Sequence, residues 1–278
     1  MLTFIRSVLA AAGAAAAFAA LAAPAAAQTP LPLADWQYST GEVLAPLAGP
    51  LPEWRITLGA GAMLRPDYEG ARRYQGEPSF IADIRYRDLA FASDGEGIGV
   101  NLLHGPGYRA GIAISYDLGR DQHDDPHLKG LGNIGAAPEP KLFAQYFLLP
   151  FVLTADLRKG LGGHEGLIGD LGAYVPLPIL KGGFLFLGPT VTFADSRYMR
   201  SYFGVDDAQA AASGLPRFSA DGGLKSTGLG ATAVYFLDKH WLLLGDAAYE
   251  RLLGSAAASP ITETRSQFTI DFNIAYKF

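Results

Sequence analysis

The sequence predicts an all-β fold: a transmembrane, antiparallel, up-and-down β-barrel of about twelve strands. Three observations predict it. The final segment, 267–278, is apolar at every second position (Phe268, Ile270, Phe272, Ile274, Tyr276 and Phe278), and strand side chains alternate between two faces. Beyond residue 27 no apolar run approaches the ~20 residues that a spanning helix needs, although 49% of the chain is apolar. The intervals between candidate strands are alternately long and short, as in barrels with long outer loops and short periplasmic turns. At membrane depth every backbone polar group must be paired, so a chain without spanning helices crosses as a closed barrel.

The start of the chain sets the compartment. Arg6 precedes an Ala-rich apolar run, and Ala25-Ala26-Ala27 stands before Gln28 as a small-residue cleavage site. Residues 1–27 therefore read as a secretory signal peptide. Pro24 interrupts the run and argues against a retained helix. Together with the barrel this places the protein in a Gram-negative outer membrane. Residues 28–53 hold Pro30, Pro32, Pro46, Pro50 and Pro52 and read as a loosely ordered periplasmic leader. The barrel takes 54–278, with Phe278 as a terminal aromatic of the kind that barrel assembly reads. The chain has no Cys, which excludes disulfides, thiol nucleophiles, thiolate metal sites and a Cys-linked lipid anchor. Its net charge of −5 gives no footprint for nucleic acid.

The strands follow in order. Trp54, Ile56 and Leu58 alternate with Arg55, Thr57 and Gly59 over 54–64. Asp83, Arg85 and Arg87 share one face of a second strand, about 78–87, which suits a lumen. Residues 89–93 and 97–103 form a short hairpin around Asp94-Gly95-Glu96-Gly97. Further strands are expected at 108–118, 140–149, 151–160, 166–177, 183–193, 223–236 and 241–252, before the terminal one. A register slip in the short hairpin reduces the count to ten. Mixed charges at Arg55, Asp117, Lys141, Asp156, Arg158, Asp170, Lys225, Asp246, Glu250 and Asp271 are assigned to the lumen, as a salt-bridged interior or a small pore.

Several motifs resemble the MltA-interacting protein/OmpV family of outer-membrane proteins. They are Pro66-Asp67-Tyr68-Glu69-Gly70, Leu118-Gly119-Arg120, Gly188-Pro189, Ala194-Asp195-Ser196-Arg197-Tyr198-Met199, Tyr202-Phe203-Gly204-Val205, Tyr249-Glu250-Arg251-Leu252 and Tyr276-Lys277-Phe278. The resemblance covers 54–278. It implies a non-enzymatic barrel without cofactor: a scaffold joining a lytic transglycosylase to a peptidoglycan synthase, or a surface protein or adhesin. A diffusion channel is the alternative from the charged lumen.

Chemistry in the chain is sparse. A barrel lipase needs a His within reach of a Ser, and none of the five His has a Ser two residues on. A lipid-modifying enzyme is accordingly disfavoured. The stretch Asp121-Gln122-His123-Asp124-Asp125-Pro126-His127 looks metal-like, but its spacing fits no EF-hand loop, and it reads as a solvated acidic loop. Arg65, Arg72 and Arg73 in the first outer loop are candidate contacts for lipopolysaccharide phosphates, alongside outer-membrane lipid. The longest loop, 194–222, carries Tyr198, Met199, Tyr202 and Phe203, too apolar for a plain solvated loop. It is expected to cap the barrel or to present an interaction surface.

Overall fold

A computed structural model describes Ser39 and residues 41–278 of the chain. The expected signal peptide and residues 28–38 and 40 of the leader lie outside the described residues. A short helix, α1 (Ala45–Ala48), precedes twelve strands: β1 (Trp54–Pro66), β2 (Tyr74–Tyr86), β3 (Ala90–Ser93), β4 (Gly97–Gly105), β5 (Tyr108–Asp117), β6 (Ala137–Leu148), β7 (Phe151–Lys159), β8 (Leu167–Leu180), β9 (Gly183–Ala194), β10 (Gly223–Phe236), β11 (Trp241–Leu252) and β12 (Ser266–Lys277). Each pairs antiparallel with its neighbours in sequence, and β1 pairs with β12 to close the barrel. The count is twelve because the short hairpin β3–β4 joins the sheet on both sides. Closure leaves no sheet edge, so the ladder meets the backbone requirement of the membrane. No helix among the described residues is long and apolar enough to cross a bilayer.

Alternation decides what each face meets. Along β12 the side chains of Phe268, Ile270, Phe272 and Ile274 are exposed on the outer wall, while Asp271, Asn273 and Ala275 are buried inside. The same split places Phe80, Ile112, Ile114, Leu142, Leu171 and Leu229 on the lipid side. Bulky apolar groups on an outer wall are costly in water and favoured in hydrocarbon.

Charged side chains fill the lumen. Arg85 contacts Asp83 at 2.8 Å and also pairs with Glu96, which in turn pairs with Arg109. Arg158 lies 3.0 Å from Asp156 and pairs with Asp170. The Arg109 guanidinium also lies 5.4 Å from the centre of the Phe143 ring. Buried charges persist only when partnered. Arg87 departs from the expected lumen assignment. It sits in the short β2–β3 turn at positive φ, exposed, and pairs with Glu53 at 3.2 Å.

The leader also departs from expectation over 41–48. Val43 is buried against Val152, Tyr174 and Phe186 inside the end that carries the short turns. The Glu42 carboxylate accepts both Nη1 and Nη2 of Arg55, at 2.9 and 2.7 Å, and lies 3.5 Å from Arg85. A bidentate fork and an apolar anchor order this segment despite Pro46.

Candidate functional site

The long outer loops fold together over the opposite end of the barrel. Between β9 and β10 the chain forms α2 (Ser196–Phe203) and α3 (Asp207–Ser213). Asp195 caps α2, accepting the N–H of Arg197 at 3.0 Å and of Tyr198 at 2.9 Å. Burial pushes its carboxyl up, but the N–H groups of Tyr198, Leu167 and Arg197 outweigh this and hold it below the ordinary range. Asp206 and Gln209 form a capping box at the start of α3.

Tyr198, Met199, Tyr202 and Phe203 fall at i, i+1, i+4 and i+5, one face of a helix. All four are buried, against Ile168, Ala194, Ala220, Leu252 and Ala256, the last in α4 (Gly254–Ala258). Arg197 and Arg200 lie on the exposed face. A Cβ at Gly166 would collide with the backbone of Tyr198, so glycine permits the close approach of α2 to the barrel rim. A second cluster joins Tyr68, Ala71, Leu128, Leu131, Val205 and Ile261, so four different outer loops share one apolar centre. Burial, with Glu263 beside it, pushes the Tyr68 phenol up. It stays protonated and donates to the carbonyl of Ile261 at 2.9 Å.

Beneath α2 lies the most concentrated chemistry of the described residues. Asp117, Glu139 and His164 are fully buried and converge within 4.8 Å. His164 Nε2 is 3.0 Å from Glu139 Oε1 and 3.3 Å from Asp117 Oδ2. Tyr202 Oη donates to Asp117, 2.7 Å from each oxygen. This donor set resembles a divalent-metal centre, but the imidazole is oriented against it. His164 Nδ1 accepts the N–H of Gly166 at 2.9 Å, which leaves Nε2 as the donor, aimed between the carboxylates. A metal-ligating His instead donates its second N–H outward. The cluster acts as a hydrogen-bonded lock between α2, the 160–166 turn and the walls β5 and β6. Alternation along 108–118 puts Asp117 on the lumen side, but Glu139 and His164 are far from it in sequence and carry no motif, so the cluster itself was not legible.

The other candidates scatter. Arg65 does not reach the outer surface as expected. It is buried at the end of β1, where Glu77 on the neighbouring strand takes its guanidinium. Arg72 and Arg73 are exposed. In the metal-like loop His123 turns to Asp121 at 2.6 Å, while His127 Nε2 meets the carbonyl of Pro260 at 3.0 Å. The two rings serve local contacts and do not converge. Phe278 is exposed, and its N–H donates to the carbonyl of Ile56 at 3.0 Å.

Among the described residues, α2 and its neighbours lie over the outer end of the lumen, and Val43 packs inside the inner end. Voids of about 20 Å³ beside Arg55 and Arg85 and about 30 Å³ beside Lys141 and Asp156 have room for a water or two each.

A family model described as MltA-interacting protein MipA matches residues 58–278. Outer membrane protein Omp26La of Vibrio anguillarum is 31% identical over 74% of this chain and 76% of that protein. Outer membrane protein OmpV of Vibrio cholerae is 33% identical over 32% of this chain. YiaT of Escherichia coli is 27% identical over 42% of it. These two matches span only 34% and 47% of the relatives' own lengths.

Proposed function

The chain belongs to the MltA-interacting protein MipA family, and on that premise we propose that it is a non-conducting, non-enzymatic scaffold of the outer membrane. Its partner on this reading is a lytic transglycosylase of the MltA type, with a peptidoglycan synthase as the second enzyme of the assembly. The observation that supports the reading is the material at both ends of the lumen, α2 and its neighbours outside and Val43 with its segment inside. A barrel without a passage offers its surfaces rather than its interior. The short turns face the side where the cell wall lies, so the docking face is the inner rim.

The test is direct binding. The protein, inserted in a lipid nanodisc, is presented with a purified lytic transglycosylase and then with a peptidoglycan synthase. Saturable binding of the first, and capture of the second in a ternary complex, is the expected result. No transglycosylase binding at tens of micromolar would overturn the scaffold role and favour a surface or adhesin role.

A further inference from the structure

We propose that the seam where β1 meets β12 carries a binding site for the phosphorylated headgroup of an outer-leaflet glycolipid, formed by Arg251 and Arg265 with Arg72 and Arg73 beside them. The proposal is independent of the scaffold reading, since it concerns the lipid side of the outer rim.

The register locates the site. Tyr249 is exposed on the lipid face of β11 and pairs with Phe268. The Phe268 ring stacks on Tyr74 of β2, with 4.6 Å between centroids. These rings mark the outer border of the apolar belt. Arg251 lies two residues beyond Tyr249 and so on the same lipid-facing side. It is exposed, opposite Ser266. Arg265 is held close by, because its carbonyl accepts the N–H of Leu252 at 2.7 Å. Arg72 and Arg73 immediately precede Tyr74. The two loops are joined, with the N–H groups of Glu263 and Thr264 both donating to the carbonyl of Gly70, at 2.9 and 3.0 Å.

The charges at this seam are left open. Arg251 Nη1 reaches Ser266 Oγ at 3.5 Å, and Arg265 Nε donates to the carbonyl of Ala257 at 3.1 Å. Neither Arg251, Arg265 nor Arg72 forms a salt bridge among the described residues. Arg73 lies 3.5 Å from Asp67 and 3.9 Å from Asp125 but remains largely exposed. The nearby carboxylate, Glu263, accepts from the Tyr68 hydroxyl and the Arg72 N–H, each at 3.3 Å. Guanidinium groups match phosphate oxygens in pairs. Arg251, set directly above the lipid-facing Tyr249, meets a headgroup whose acyl chains lie along the barrel wall, with the exposed Arg265, Arg72 and Arg73 at the rim beside it. A free phosphate has no reason to choose that border over the aqueous top of the cap.

The experiment uses the full protein, folded in neutral detergent, and native mass spectrometry. The probes are diphosphorylated lipid A, the same lipid after dephosphorylation, and inorganic phosphate. The intact protein is expected to retain one phosphorylated lipid A. The double variant Arg251→Ala/Arg265→Ala should lose retention by at least about tenfold while keeping its heat-modifiable gel mobility. Arg251→Lys, a milder change, should lose it severalfold, which preserves the test if the double variant folds poorly. Arg197→Ala/Arg200→Ala, on the cap, should behave as the parent. Equal retention of dephosphorylated lipid, or full retention by both seam variants, overturns the proposal. Displacement of the lipid by millimolar inorganic phosphate would reassign the site to free phosphate and overturn the headgroup assignment.

Discussion

Asp195 shows how one side chain holds the outer cap. Its carboxylate satisfies two of the N–H groups at the start of α2 that otherwise lack partners. Asp195→Ala should cost about 1 kcal/mol of local stability, read as faster amide exchange in 196–203. The pH dependence follows from the depressed carboxyl. A folded-state value below the ordinary ~3.9 gives stability that is fully present above that value and lost as pH falls through the folded one. The difference between parent and variant should therefore hold at pH 7 and shrink below about pH 3.9; a gap that widens in acid would contradict this. Tyr202→Phe tests the lock beneath. It removes the hydroxyl that Asp117 accepts and leaves a buried carboxylate short of a donor, at a cost of about 1–3 kcal/mol. Exchange in α2 should rise, while exchange in β1 and β12 stays as in the parent. Tyr198, Met199, Tyr202 and Phe203 stood out in the sequence because four large apolar groups crowd one loop. His164 did not, because its two carboxylate partners come from other strands, Glu139 being 25 residues away.

Among the elements, the strands were the legible part. Alternation and turn residues located β10 and β11 at their observed bounds, 223–236 and 241–252, since a strand between lipid and lumen must change character at every residue. Helices inside loops were not anticipated. The marks were local and short: Asp195 ahead of Ser196, and Asp206 three residues before Gln209, a capping-box spacing. A loop of 29 residues invited a reading by composition instead of by caps. Residues 41–48 were hidden for a different reason. What orders them is Arg55 and Arg85 in the barrel, which no local pattern reveals. At this scale the lipid face of β12 should reject charge, with a conservative lumen-face change as the control. Phe272→Lys sets an ammonium on the lipid wall near the strand's middle and should cost roughly 2–4 kcal/mol, seen as a lower urea midpoint in liposomes. Thr269→Ser, small and uncharged, should leave the midpoint within about 0.5 kcal/mol of the parent. Equal midpoints for Phe272→Lys and the parent would place Phe272 away from hydrocarbon.

For the whole molecule the question is what a twelve-stranded barrel does with its interior. A barrel of eight strands is just filled by its own side chains, so a wider one needs further material to close. Three layers supply it here. The outer loops share an apolar centre, the arginine and carboxylate groups pair across the middle, and Val43 with Glu42 occupies the inner end. The inner and middle layers share Arg85, which faces both Glu42 and Glu96, whereas the outer cap rests on other residues, so the cap can go without the inner layers. Deleting 196–218 should strip the cap yet leave the Arg85–Glu96–Arg109 pairs and the 41–48 segment in place. Conductance in planar bilayers should then stay at the lipid baseline for both the parent and this deletion. Combining the deletion with Glu42→Ala, Glu96→Ala and Arg109→Ala removes the ion pairs that hold the inner segment and the middle layer, and discrete channel steps should appear. Steps from the parent protein would show that the lumen conducts and would restore the channel reading. Steps from the cap deletion alone would show that the cap is the only seal. A silent combined variant with parent-like heat-modifiable mobility would mean that the walls themselves collapse inward, and that closure is a property of the strands rather than of what they enclose.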